Sequence, residues 1–139
     1  MATAASPIRS EADLKNPSVV KVVWGERRQA LYFSRSVIPF VRDNDLADAA
    51  CVNSPSPGSD AARGGALHWR HVGIYAYRKT FLNRLVRTPP CLLERAEKLE
   101  QLRALHIGAR IAVLEAEEAG IGVDTPEDVQ YVEKAMERR

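Results

Sequence analysis

Alternation and helical periodicity divide the chain into short strands and helices before any single residue is considered. Val19-Val20-Lys21-Val22-Val23-Trp24 is a β-branched run. After a turn opened by Gly25-Glu26, Ala30-Leu31-Tyr32-Phe33-Ser34 resumes the strand pattern, so the two runs are expected to form a hairpin. Residues 68–77 alternate, with Trp69, His71, Gly73, Tyr75 and Tyr77 on one face and Val72, Ile74 and Ala76 on the other. Residues 110–116 form a further strand, Ile111 and Val113 alternating against Ala112 and Leu114. Helical spacing predicts a short helix over 80–86, ended before Pro89-Pro90, and a longer one over 92–105. In the longer helix Leu92, Ala96, Leu99, Leu102 and Leu105 make one apolar face, and Gly108 stops it. Thr125 caps a last helix over 126–136, with Pro126 at its first position and Val129, Val132 and Met136 as its core stripe. Near the start, Ser10 caps a short helix with Asp13 at its third position, stopped at Asn16-Pro17.

The second half therefore reads β, α, α, β, α, and an α/β layered fold is the natural inference. Between the two halves the character changes. Over 44–66 Pro55, Pro57, Gly58, Gly64 and Gly65 mix with Ser, Asp and Ala. That composition buries little apolar surface and predicts a long flexible loop inside one domain of 139 residues. A net charge of +2 with scattered Lys and Arg gives no nucleic-acid footprint. No apolar run approaches the ~20 residues of a membrane helix, and the first residues lack the basic and apolar regions of a signal peptide. Cys51 and Cys91 are far apart without a metal-ligand spacing, which suits unpaired thiols in a reducing compartment, with the cytoplasm as the default.

Four places could carry chemistry. Gly122-Val123-Asp124-Thr125-Pro126-Glu127-Asp128 sets Asp124 on a loop beyond a strand and just before a helix, where ligands bind in open α/β folds. The same residues also read simply as a well-capped helix start. Arg35 closes a strand, and can clamp a carboxylate or phosphate with two parallel hydrogen bonds or sit on the surface. His71 and Tyr75 share a strand face with Gly73 between them; their polar tips suit a hydroxylated, anionic ligand, while aromatic packing explains them equally well. Glu100 and Gln101 project toward the rim of a leucine-faced helix, as a sugar-binding edge or as solvated surface. No phosphate-binding glycine loop, G-x-S-x-G elbow or Ser-His-Asp order is present in the sequence.

Taken in order, these blocks resemble the C-terminal half of the CMP-Kdo synthetases, the 3-deoxy-manno-octulosonate cytidylyltransferases. The matching stretches are Met1-Ala2-Thr3-Ala4-Ala5 with Pro7-Ile8, and Asn16-Pro17 with Val20-Lys21-Val22-Val23. Ala30-Leu31-Tyr32-Phe33-Ser34-Arg35 follows, with Ile38-Pro39, then His71-Val72-Gly73-Ile74-Tyr75-Ala76-Tyr77-Arg78. Leu99-Glu100-Gln101-Leu102-Arg103 and the segment from Gly122 to Asp128 complete the set. The resemblance implies a Rossmann-like nucleotidyltransferase fold, a mixed sheet with flanking helices, and a homodimer. It implies that CTP and Kdo (3-deoxy-D-manno-octulosonate) react to CMP-Kdo and pyrophosphate for lipopolysaccharide assembly. It further implies that Asp124 binds magnesium (Mg2+) at the catalytic centre, and that Arg35, His71, Tyr75, Glu100 and Gln101 line the sugar-acid pocket.

Family members are much longer. The phosphate loop, the cytosine pocket and the first metal-binding aspartate belong to an N-terminal half not found in this sequence, and Met1 coincides with an internal methionine of the family. Two expectations follow: part of an enzyme that acts only with an N-terminal half supplied to it, or a non-catalytic remnant keeping part of the sugar pocket and dimer surface. A sheet without its first strands is also expected to show an unpaired edge and bare apolar faces, favouring self-association.

Overall fold

A computed structural model of the chain describes residues 1–42 and 66–117, together with Val129 and Glu133. Its elements are β1 (Ala2–Pro7), α1 (Glu11–Lys15), β2 (Lys21–Trp24), β3 (Ala30–Ser34), β4 (Trp69–Ala76), α2 (Lys79–Arg87), α3 (Leu92–Glu97), α4 (Gln101–His106) and β5 (Ala112–Glu115). Among the described residues these build one five-stranded sheet in the order β3-β2-β4-β1-β5. β1 runs antiparallel to β4 and parallel to β5, and β2 is antiparallel to β3 and β4. This is the mixed α/β sheet with flanking helices that the residue pattern and the resemblance implied. No helix among the described residues is long and apolar enough to cross a membrane.

The β2–β3 hairpin forms as expected, with Val22 opposite Phe33. Ser10 caps α1, its Oγ accepting from the Asp13 N–H at 3.0 Å. β1 was not legible as a strand, because Ala-Thr-Ala-Ala-Ser-Pro has almost no β-branched or aromatic content. It nonetheless lies between β4 and β5, and Thr3, Ala5 and Ser6 are buried. Its register sets Thr3 and Ala5 on the same face as Val113, and that face packs under the helices. The core joins Ala5, Val22, Phe33, Ile111 and Val113 of the sheet side to Leu85, Leu99, Leu102 and Ala104.

Two expectations are corrected. The single helix over 92–105 is two helices, α3 and α4, separated by Lys98 in the left-handed region (φ 56°, ψ 48°). As a result Leu99 and Leu102 are buried but Leu92 is 80% exposed, so the continuous leucine face does not exist. The unpaired edge expected of the sheet is not found at β5. The outer side of β5 is bonded to the start of β3: Val113 N–H donates to the Arg28 carbonyl and Ala30 N–H to the Ile111 carbonyl, both at 2.8 Å. An ion pair between Arg28 and Glu115 reinforces the contact. The bare apolar face that was also expected is present among the described residues, where Ile74 is 65% and Leu114 59% exposed.

The expected helix over 126–136 lies outside the described residues except at Val129 and Glu133, both helical. Val129, assigned to the core stripe, is 42% exposed. Of the loop at 44–66 only Ala66 is described.

Gly108 ends α4 as its position suggested. Its φ is +79°, the Gly108 N–H bonds the Leu105 carbonyl and the Ala109 N–H the Ala104 carbonyl, both at 2.9 Å, which is a Schellman closure. A Cβ at Gly108 would meet nothing within 4 Å, so only backbone conformation opposes a side chain there. Gly108→Ala is therefore expected to cost about 1 kcal/mol in urea denaturation. Gly73, equally open and without a positive φ, should accept Ala within about 0.5 kcal/mol; the reverse ranking would contradict this assignment.

Candidate functional site

β4 is not a regular strand. Thr3 pairs with Tyr75 and the next residue, Ala4, with Val72, so β4 carries two residues more than β1 over this step. Gly73 and Ile74 are the surplus, a bulge at the glycine. An even insertion keeps the alternation in phase, and His71 and Tyr75 remain on the core-side face, opposite Ala5 and Thr3. On a straight strand residues four apart stand about 13 Å from one another. Here the two rings are 5.3 Å apart. The chain of rings continues from Phe33, edge-on to His71 at 5.0 Å, through Tyr75 to Tyr77 at 5.8 Å.

Thr3 supports this geometry from β1. Its Oγ1 donates toward the Ile74 carbonyl at 2.8 Å and the Val72 carbonyl at 3.2 Å, the two carbonyls that flank the bulge. The same oxygen lies 2.9 Å from Nε2 of His71. Burial drives the His71 pKa down to about 4, so the ring is neutral at physiological pH. Tyr75 is pushed well above the usual phenol range, first by burial and then by the charges of Tyr77 and Glu100. It is a protonated hydroxyl that can donate.

A second group of residues ties α3 and the turn after it to the end of β3. The Glu97 carboxylate accepts from Ser34 Oγ at 2.7 Å and from the Arg35 backbone N–H at 2.9 Å. Arg35 answers in the other direction: its Nε donates to the Glu97 carbonyl at 2.7 Å, and its terminal nitrogens to the carbonyls of Pro17 and Lys98 at 3.0 and 3.5 Å. Lys21, fully buried, donates from Nζ to the carbonyls of Asn16 and Arg35 at 2.8 and 3.0 Å. Glu94 and Arg103, an ion pair at 3.2 Å, join α3 to α4.

The structure thus gathers five of the six expected positions into one region. His71 and Tyr75 form the strand side. Glu100 follows the Lys98 turn and acts electrostatically on both Tyr75 and Tyr77. Gln101 opens α4, and unlike the rim position expected of it, is buried at 5% exposure. Arg35 grips the turn that leads into Glu100, and three of its guanidinium donors are spent on backbone carbonyls. Asp124 lies outside the described residues. Sequence reasoning assigned no site role to Thr3, Lys21 or Glu97. Lys21, the lone charge in a β-branched run, was the one available signal. Among the described residues no group of three or more His, Cys, Asp or Glu could hold a metal ion.

A mixed sheet carrying a compact polar and aromatic cluster beneath a helical turn is consistent with a nucleotidyltransferase, and comparison with known proteins agrees. A family model described as cytidylyltransferase matches residues 1–111, and the chain belongs to that family. It is 48% identical over 134 residues to the 3-deoxy-manno-octulosonate cytidylyltransferase of Geobacter sulfurreducens, covering 95% of this chain and 50% of the relative. The protein of the same name from Verminephrobacter eiseniae is 49% identical over 137 residues, covering 98% of this chain and 50% of the relative. A solved structure of a CMP:2-keto-3-deoxy-manno-octonic acid synthetase complexed with CTP superposes with a TM-score of 0.79 at 38% identity. That match covers 99% of this chain and 48% of the other. The chain spans about half the length of the curated relatives it matches.

The depressed His71 pKa has a consequence for stability. Between the folded value of about 4 and the ordinary 6.5, the unfolded chain takes up a proton that the folded chain refuses. The stabilisation from the neutral ring is complete above pH 6.5 and declines as the pH falls toward 4. Urea midpoints of the wild type and His71→Gln should converge over that window. A difference independent of pH there would contradict the buried neutral ring.

Proposed function

We propose that the chain carries the sugar-acid side of a cytoplasmic, homodimeric 3-deoxy-manno-octulosonate cytidylyltransferase, which converts CTP and Kdo to CMP-Kdo and pyrophosphate. The observation that supports it is the bulge-packed pair His71–Tyr75 beneath the turn bearing Glu100 and Gln101. A neutral imidazole, a protonated phenol, a carboxylate and an amide together offer donors and acceptors without a large net charge, which suits the hydroxyls of a sugar acid.

In the reaction the anomeric hydroxyl of Kdo attacks the α-phosphorus of CTP. A new P–O bond forms, the bond from the α-phosphorus to the bridging oxygen breaks, pyrophosphate leaves with the electron pair, and the hydroxyl proton passes to solvent. Such a transfer is served by fixing the hydroxyl in line and stabilising the phosphates. The residues described here do the first: Tyr75 donates to an oxygen of the sugar, Glu100 accepts from a hydroxyl and Gln101 can do both. Arg35 shapes the pocket through the turn it grips, and its remaining guanidinium donors can meet the sugar carboxylate. Magnesium held by Asp124 belongs to the same reading. Asp124 lies outside the described residues, and an ion held there would neutralise charge on the phosphates.

The half-length span favours a second reading beside the first: a chain that keeps the sugar-acid pocket without turning over. Titration of Kdo into the 139-residue chain, followed by NMR, tests the shared part of both. Binding is expected, and His71→Ala or Gln101→Ala should each weaken it about tenfold, the size of one lost hydrogen bond. No binding, or binding indifferent to both substitutions, would overturn the assignment. The chain alone with CTP, Kdo and magnesium is expected to release no pyrophosphate; release abolished by Asp124→Ala would show that it is active without a further half.

A further inference from the structure

The contacts of Thr3 determine more than the shape of β4. Its hydroxyl has a single proton, and three groups lie around Oγ1: the Ile74 carbonyl at 2.8 Å, the Val72 carbonyl at 3.2 Å and His71 Nε2 at 2.9 Å. Carbonyl oxygens can only accept. If the hydroxyl proton pointed at Nε2, two carbonyl oxygens would face the hydroxyl oxygen with no proton between them. With the proton directed to the carbonyls, Oγ1 has a lone pair left for His71, and Nε2 must be the donor. A neutral imidazole protonated at Nε2 carries its acceptor lone pair on Nδ1. Among the described residues nothing bonds His71 Nδ1.

We propose that Thr3 is a positioning residue that holds His71 as the Nε2–H tautomer, so that Nδ1 is presented as a hydrogen-bond acceptor for a hydroxyl of the bound sugar acid. The substrate part rests on the function proposed above; the tautomer part rests only on the contacts of Thr3. The arrangement makes one side chain serve two ends. Thr3 closes the bulge that brings His71 to Tyr75, and it fixes which nitrogen of His71 is free. Ala or Val at position 3 would take the Thr3 donor away from both carbonyls and leave the imidazole without a reason to prefer one tautomer. Serine retains the hydroxyl and with it both functions.

Long-range proton–nitrogen NMR of the 15N-labelled 139-residue chain near pH 7 reads the tautomer directly, with the His71 ring identified by the signals lost in His71→Gln. The wild type and Thr3→Ser are expected to show Nε2 protonated, with its proton slow enough in exchange to be seen. Thr3→Val is expected to lose that proton resonance and to populate the Nδ1–H form. An Nδ1–H ring in the wild type would overturn the proposal, and this result needs no variant to fold. An unchanged Nε2–H resonance in Thr3→Val would also overturn it. Adding Kdo is expected to shift Nδ1 in the wild type and in Thr3→Ser. A ring indifferent to Kdo with the Nε2–H tautomer intact would refute the sugar-acceptor role of His71 while confirming that Thr3 sets its tautomer.

Discussion

The reciprocal clasp between Glu97 and Arg35 is the interaction on which the arrangement of the site depends. The Glu97 carboxylate takes the hydroxyl of Ser34 and the backbone N–H of Arg35, and the Arg35 side chain takes the backbone carbonyls of Glu97 and Lys98 in return. Hydrogen bonds to charged groups contribute about 1.5–3 kcal/mol each, so four around one turn outweigh the about 1 kcal/mol that a left-handed Lys98 costs. The end of β3 is thereby fixed to the end of α3, and the chain is forced to restart as α4 at Gln101. Buried Lys21 secures the other side by holding Asn16 and the Arg35 carbonyl together, with Pro17 bound to the same guanidinium. Burial lowers the Lys21 pKa, and the two carbonyls are what make an ammonium tolerable there.

The strand side of the site is built by a different device. A two-residue bulge shortens the distance between His71 and Tyr75 without moving either to the other face, and a threonine from the neighbouring strand satisfies the carbonyls that the bulge exposes. The clasp and the bulge share no hydrogen bond among those described. They meet where Phe33 sits edge-on to His71 and across the space between Glu100 and the tyrosines, which is where a ligand would join them.

Much of this was legible in the residues. The hairpin, the α1 cap, the Gly108 stop and the grouping of His71 with Tyr75 follow from local rules of alternation and capping. What was not legible depends on contacts distant in sequence. The break at Lys98 is imposed by Ser34 and Arg35, more than sixty positions earlier, against a leucine spacing that favours one helix. β1 is a strand because β4 and β5 flank it, not because Ala-Thr-Ala-Ala-Ser-Pro prefers one. Arg35 looked free to clamp an anion because its carbonyl partners cannot be seen along the chain. Gln101 looked like a rim residue, as sugar-binding edge or solvated surface, because the interruption of the helix cannot be seen along the chain. The order of the blocks supplied what local rules could not, and the family match and the superposition agree with it.

The apolar face around Ile74 and Leu114 is bare among the described residues, whereas the side proposed to take the sugar acid is held by the clasp and the bulge. Amide hydrogen exchange with and without Kdo, on the wild type and on Glu97→Gln, is the most direct measurement of that claim. Kdo should slow exchange at His71–Tyr75 and at Gln101–Leu102 together in the wild type, and Glu97→Gln should lose the effect at Gln101–Leu102. Protection confined to one of the two segments, or protection unchanged in Glu97→Gln, would contradict a pocket assembled by the clasp.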